Sequence, residues 1–122
     1  MKNLLLRLVL EVLVLKLPAT PLQGLRKKQS HFASMLPLLF LYIRLQGLEI
    51  SLGDAWAKSG HMLHSLHYIR LAIDLNFFRD GKWLMNQSEY YKVGEFWESI
   101  GGSWGGRFAD GGHFSLSHMG RK

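Results

Sequence analysis

The run Arg70–Phe78, RLAIDLNFF, constrains this 122-residue chain more than any other stretch. Its side chains alternate, with Leu71, Ile73 and Leu75 on one face and Ala72, Asp74 and Asn76 on the other. Alternation of this kind predicts a β-strand, and Asp80-Gly81 supplies the turn after it. A carboxylate at mid-strand is costly unless it is paired, exposed or bound to a metal. Asp74 therefore needs a partner. His67 lies seven residues earlier, just before the strand begins, where a loop-borne imidazole can fold back toward the same face. The segment Asp110-Gly111-Gly112-His113 can bring a third ligand and a free carboxylate beside it.

Three nitrogen or oxygen ligands, with water in the fourth position, form the usual catalytic zinc arrangement. A nearby carboxylate can take a proton from that water as it attacks a carbonyl. The chain has no cysteine, so thiolate sites, disulfides and cysteine nucleophiles are excluded, and any metal is held by His, Asp or Glu. Spacing by itself leaves the reading open, because a lone strand aspartate is more often salt-bridged than metal-bound. His61, His64 and His67 fall at i, i+3, i+6, as a helical metal stripe would. Gly60 and the strand that follows argue against a helix there, so His67 alone is expected to coordinate, with His61 and His64 exposed on a loop.

Phe32, Met35, Leu36, Leu39, Tyr42 and Ile43 follow helical spacing and predict a helix from Lys28 to Gln46. Ser30 is the expected N-cap, Gly47 the expected stop, and Pro37 an expected kink. Leu48–Leu52 reads as a short strand, Val93–Ile100 as a helix closed by Gly101-Gly102, and His113–Leu116 as a last strand. Helix, strand, strand, helix, strand suggests an α+β fold. The stretch GGSWGGRFADGG holds six of the 13 glycines, which reads as a tight loop approaching a ligand or as a flexible surface loop.

Residues 1–22 form an apolar N-terminal segment set apart from a domain over 23–122. Arg7, Glu11 and Lys16 break its apolar run, whereas an export signal needs roughly 7–15 unbroken apolar residues and a membrane span about 20. A helix packed on the domain or lying on a membrane surface through residues 1–20 is the reading preferred to a cleaved signal, with Pro18 and Pro21 ending it. The net charge of +6 and pI of about 9.8 favour polyanionic partners. No basic stripe is interleaved with aromatics, so nucleic-acid binding is not expected.

Ser65-Leu66-His67 through Asp74-Leu75-Asn76 resembles the S-x-H-x(6)-D signature of the M15 metallopeptidases. Lys28-Gln29-Ser30 with Phe32-Ala33, Leu52-Gly53-Asp54-Ala55-Trp56, Phe78–Leu84 and Glu95–Phe108 leading into Asp110–Ser115 are similar, in order, to the small phage-type branch of that family. The resemblance implies a small antiparallel sheet carrying a zinc site, flanked by helices. It implies that His67, Asp74 and His113 bind Zn2+, that Asp110 is the catalytic acid/base, and that Ser65, Trp104 and Arg107 contact substrate. The implied substrate is a peptidoglycan stem peptide, cut at the bacterial cell wall by a monomer acting as an L-alanyl-D-glutamate endopeptidase or a D-alanyl-D-alanine carboxypeptidase. One departure stands out. The family usually places an Arg where this chain has Ala57, with Lys58, Arg70 and Arg107 as the candidate replacements.

Overall fold

The structure, a computed structural model, describes residues 3–17, 24–85 and 87–122. Pro18, Pro21 and the division between residues 22 and 23 fall outside the described residues. Helices α1 (Leu4–Leu15) and α2 (Leu25–Leu45) come first, followed by β1 (Glu49–Leu52), a 3-10 turn (Leu66–Ile69), β2 (Ala72–Arg79) and β3 (Lys82–Trp83). Then come α3 (Gln87–Ser99), β4 (Ser103–Trp104), a second 3-10 turn (Gly105–Phe108) and β5 (His113–Ser115). The chain is α+β: the described residues form three helices with a small antiparallel sheet in the order β1-β2-β5-β4, and β3 pairs with β2.

Strand β2 is the spine because its alternation serves two surfaces. Ile73, Leu75 and Phe77 are buried against the helices, while Asp74 and Asn76 are half-buried on the opposite face. The apolar face of β2 meets Met35, Leu39 and Ile43 of α2 and Val93 and Trp97 of α3, all fully buried. Trp97 crosses Phe32 edge-on at 5.9 Å and donates from Nε1 to the Ser115 carbonyl at 2.8 Å, which ties α3 to β5. Tyr90 stacks on Phe77 at 4.2 Å, and its hydroxyl donates to the Leu84 carbonyl at 2.9 Å, which fixes the end of the β2–β3 hairpin. Burying rings of this size stabilises the fold by roughly 1.5–3 kcal/mol each.

Four helical expectations change. α2 begins at Leu25, after Gly24 at φ 82, rather than at Lys28. Ser30 is therefore inside the helix, where its hydroxyl accepts from Arg26, and it caps nothing. The helix passes through Pro37 as one element, because packing of its buried face outweighs one lost backbone bond. It stops at Gly47, φ 76, as expected. α3 starts at Gln87, six residues before the expected Val93.

Candidate metal centre

His67 is positioned by a short turn with a cap at each end. The Ser65 hydroxyl accepts the His67 N–H at 3.2 Å, and Arg70 closes the turn in the left-handed region at φ 59. Leu66 inserts fully into the core, which leaves the His67 ring 2 % exposed above β2. Asp74 and His113 are brought together by register, since β2 and β5 pair them directly across the ladder. Directly opposed residues hold their side chains on the same face within contact distance. Gly112 makes this approach possible: Leu75 N–H donates to its carbonyl at 2.8 Å, and a Cβ there would lie 2.6 Å from the Leu75 oxygen.

Both imidazoles converge on one carboxylate oxygen. His67 Nε2 is 3.2 Å and His113 Nδ1 3.4 Å from Asp74 Oδ1. Burial works to raise the Asp74 pKa, but hydrogen bonds from His113 and His67 outweigh it and hold the carboxyl well below the usual carboxylate range. Asp74 is therefore an anion at neutral pH. Asp110 stands at the rim, 58 % exposed, with Oδ2 4.0 Å from His113 Nδ1. Its backbone is held from both sides: its N–H donates to the Gly105 carbonyl at 2.8 Å, and its carbonyl accepts His113 N–H at 3.1 Å.

Two imidazoles and two carboxylates are donors of the kind a zinc ion takes. Among the described residues, two groups offer ligand atoms that all lie within 4.8 Å of one another, His61–His67–Asp74 and Asp74–Asp110–His113; they share Asp74, and neither holds His67 and His113 together. The His67–Asp74 and Asp74–His113 separations match two edges of a tetrahedron with ligands at about 2.0–2.1 Å, which has edges of about 3.3–3.4 Å. His67 Nδ1 and His113 Nε2 are buried without a hydrogen-bond partner. The nitrogens that face Asp74 are the opposite ones, His67 Nε2 and His113 Nδ1, and these are the atoms each ring could offer to an ion.

The other expected site residues divide. Ser65 lines the cavity above the centre, together with Asp110, Phe108 and His61. Trp104 and Arg107 take supporting positions instead. Trp104 is 3 % exposed, and its Nε1 donates to the Gly111 carbonyl at 2.8 Å, so its ring props the loop that carries Asp110. Arg107 grips Glu98 with Nε at 3.1 Å and Nη2 at 2.7 Å, and donates to the Tyr91 hydroxyl at 3.1 Å. None of the replacements considered for the family's Arg reaches the cavity wall either. Arg70 lies over the Trp56 ring at 4.4 Å and Lys58 over the same ring at 5.5 Å. The cations on the wall are Arg121 and Lys122, which no motif in the chain points to.

His61 departs from expectation more sharply. Its side chain is only 21 % exposed, its ring stacks on His67 at 4.1 Å, and its Nε2 is 2.8 Å from Asp54 Oδ2. His64, by contrast, is exposed at φ 64. The i, i+3, i+6 spacing of the histidines was the one signal for His61, and it suggested a helix that does not form.

A small α+β domain that seats two histidines against a strand carboxylate, with a second carboxylate at the rim, defines a candidate metal centre of hydrolase type. Residues 58–116 match the family model described as D-alanyl-D-alanine carboxypeptidase, which supports membership of the chain in the M15 family and a metallopeptidase activity. The matched stretch contains His67, Asp74, Asp110 and His113. No curated protein and no solved structure gives a significant match.

Proposed function

We propose that the protein is a zinc-dependent peptidase that hydrolyses amide bonds in peptidoglycan stem peptides, as an L-alanyl-D-glutamate endopeptidase or a D-alanyl-D-alanine carboxypeptidase. The observation that carries the reading is the meeting of His67 and His113 on Asp74, with the Asp110 carboxylate beside them. His67, Asp74 and His113 would hold the ion. Bound zinc supplies a Lewis acid that polarises a carbonyl and lowers the pKa of water. Asp110, exposed at the rim, takes the proton from the attacking water and returns it to the leaving amine. Ser65, on the cavity wall, offers the substrate a hydroxyl. The net charge of +6 favours adsorption to anionic wall polymers, which supports action at the cell wall.

Digestion of purified peptidoglycan with added zinc or with chelator tests this, read by mass spectrometry of the released fragments. Chelator-sensitive release of new amino termini is the expected result, and fragment masses name the bond. A zinc-loaded protein that binds stem peptide and releases nothing favours the second reading, a relative that binds zinc and wall peptide without efficient cleavage. Ala57, with Arg70 and Lys58 both committed to Trp56, is the observation behind that alternative. Loss of a fixed oxyanion donor costs about 10²–10³ in rate.

We also infer peripheral membrane contact through α1. Leu5, Leu8, Val12 and Leu15 form one outward face, 71 %, 48 %, 51 % and 84 % exposed, while Arg7 and Glu11 line a groove against Tyr42 and Leu45 of the adjoining helix. A helix of 12 residues is about 18 Å long against a hydrocarbon core of about 30 Å, so it lies on a bilayer rather than across it. Among the described residues, no helix is long and apolar enough to cross a membrane. Flotation with anionic vesicles should carry the protein upward, and Leu5→Glu with Val12→Glu should abolish it. A wild-type protein that stays with the soluble fraction rejects the contact.

A further inference from the structure

The hairpin after β5 carries a cation that the mechanism above leaves unused. His118 and Arg121 pair across a two-residue turn, N–H to carbonyl in both directions, at 3.1 and 3.0 Å. Met119 at φ 50 and Gly120 at φ 79 are consecutive left-handed residues, as a tight type I′ turn requires. The turn is tied to the domain on two sides. Leu116 N–H donates to the Leu71 carbonyl at 2.9 Å, which continues the pairing of β5 beside β2 toward the turn. The Lys28 ammonium of α2 donates to the Ser117 carbonyl at 3.4 Å and stands 3.2 Å from His118 Nδ1.

This hairpin delivers Arg121, half-buried, to the wall of the cavity of about 310 Å³ that Asp74, Asp110, His67 and His113 also line. The neighbouring cations are committed elsewhere. Arg107 grips Glu98, and Arg70 and Lys58 lie over Trp56. Lys122 shares the wall but also serves Glu98, whose carboxyl is held below its usual range first by the Arg107 hydrogen bond and more weakly by Lys122. Arg121 differs: among the described residues its guanidinium has no hydrogen-bond or ion-pair partner.

The two bonds named under function share one chemical feature, a free carboxylate on the carbon that bears the leaving nitrogen. In D-alanyl-D-alanine it is the terminal carboxylate. In L-alanyl-D-glutamate it is the α-carboxylate of a glutamate joined onward through its γ-carboxyl. Such a group enters a cavity where Asp74 is already an anion, and like charge opposes it. A guanidinium offsets that repulsion and offers two parallel N–H donors in a planar fork. We propose that Arg121 binds the substrate carboxylate beside the scissile bond, and that the hairpin after β5 makes the site specific for peptides that carry one. This rests on the peptidase reading given under function.

The test uses two pairs of peptides, dansyl-L-Lys-D-Ala-D-Ala and dansyl-L-Ala-γ-D-Glu-L-Lys, each with that carboxylate free or converted to a carboxamide. Wild type, Arg121→Gln, Arg121→Lys and the charge control Lys82→Gln are compared after circular dichroism confirms folding. Cleavage is measured with zinc, and binding by fluorescence anisotropy with the zinc chelated. Wild type is expected to favour the carboxylate form about ten- to a hundredfold in kcat/KM and in affinity, as a hydrogen-bonded charge pair does. Arg121→Gln should erase that preference, mostly through KM. Arg121→Lys should restore part of it, since Lys keeps the charge without the fork. Lys82→Gln removes the same charge from an exposed position on β3 and should retain the preference. The pair that shows the preference names the bond. Equal handling of both forms by wild type, or a preference that survives Arg121→Gln, overturns the role of Arg121 and leaves any observed cleavage to the peptidase reading. Carboxylate-selective binding that depends on Arg121, with no cleavage, keeps the role and overturns the peptidase. A wild type that neither binds nor cleaves overturns both.

Discussion

Asp110 and Trp104 show how differently two site residues can matter. Asp110 is exposed and contributes little to folding, so Asp110→Asn should leave stability and zinc binding intact. Loss of a general acid/base lowers turnover about 10²–10⁴-fold, and stem-peptide hydrolysis at fixed zinc measures it. An Asn variant with full activity removes Asp110 from the chemistry. Trp104 acts from below. Trp104→Phe keeps the ring that packs on the loop but loses the hydrogen bond to Gly111, which should cost about 1 kcal/mol in urea unfolding. It should also weaken zinc binding, since the propped segment leads into His113. Asp74 and His67 were legible in the sequence because a strand's two-residue period exposes a misplaced carboxylate. The partnership of Asp54 and His61 was not, because it depends on a loop path that no local pattern encodes.

At the scale of elements, α3 illustrates why boundaries escape a sequence reading. Between Gln87 and Lys92 only Tyr90 and Tyr91 carry any apolar pattern, so the first turns are hidden, while the helix beyond them runs through Gly94. Its reason lies outside the helix: a Cβ at that position would stand 2.0 Å from Trp104 Cδ2. Replacing a mid-helix glycine by alanine ordinarily stabilises by roughly 0.5–1 kcal/mol. Here the sign should reverse. Gly94→Ala must push the Trp104 ring away and should destabilise by roughly 1–3 kcal/mol in urea unfolding, as overpacked sites do. A stabilised Gly94→Ala variant would show that α3 and β4 are looser than their packing indicates. Ser30 fails as a cap for a related reason, since local chemistry favoured a start that the longer apolar face of α2 overrode. The short strands β3 and β4, two residues each, carry too little pattern to be seen without their neighbours.

The α+β class was legible for the whole molecule because the order of periodic segments survives errors at their ends, and β2 alone dictates a sheet with one apolar face. What the order of elements could not supply was how far apart in the chain the ligands arise. His67 comes from a turn before β2, Asp74 from its middle, and His113 from β5 after four further elements. A metal at that point links segments that the unfolded chain leaves separate, so its binding energy adds to folding energy. At a free zinc concentration of about a hundred times Kd the folded state gains about 2.7 kcal/mol. For a domain of this size that raises Tm by roughly 10 °C. Calorimetry with and without zinc should show the rise, and His67→Ala should abolish it, because the variant keeps the sheet but loses a ligand from the turn. A wild-type protein whose Tm ignores zinc would leave Asp74 as the structural partner of two buried histidines, and the metallopeptidase reading would have no centre to act from.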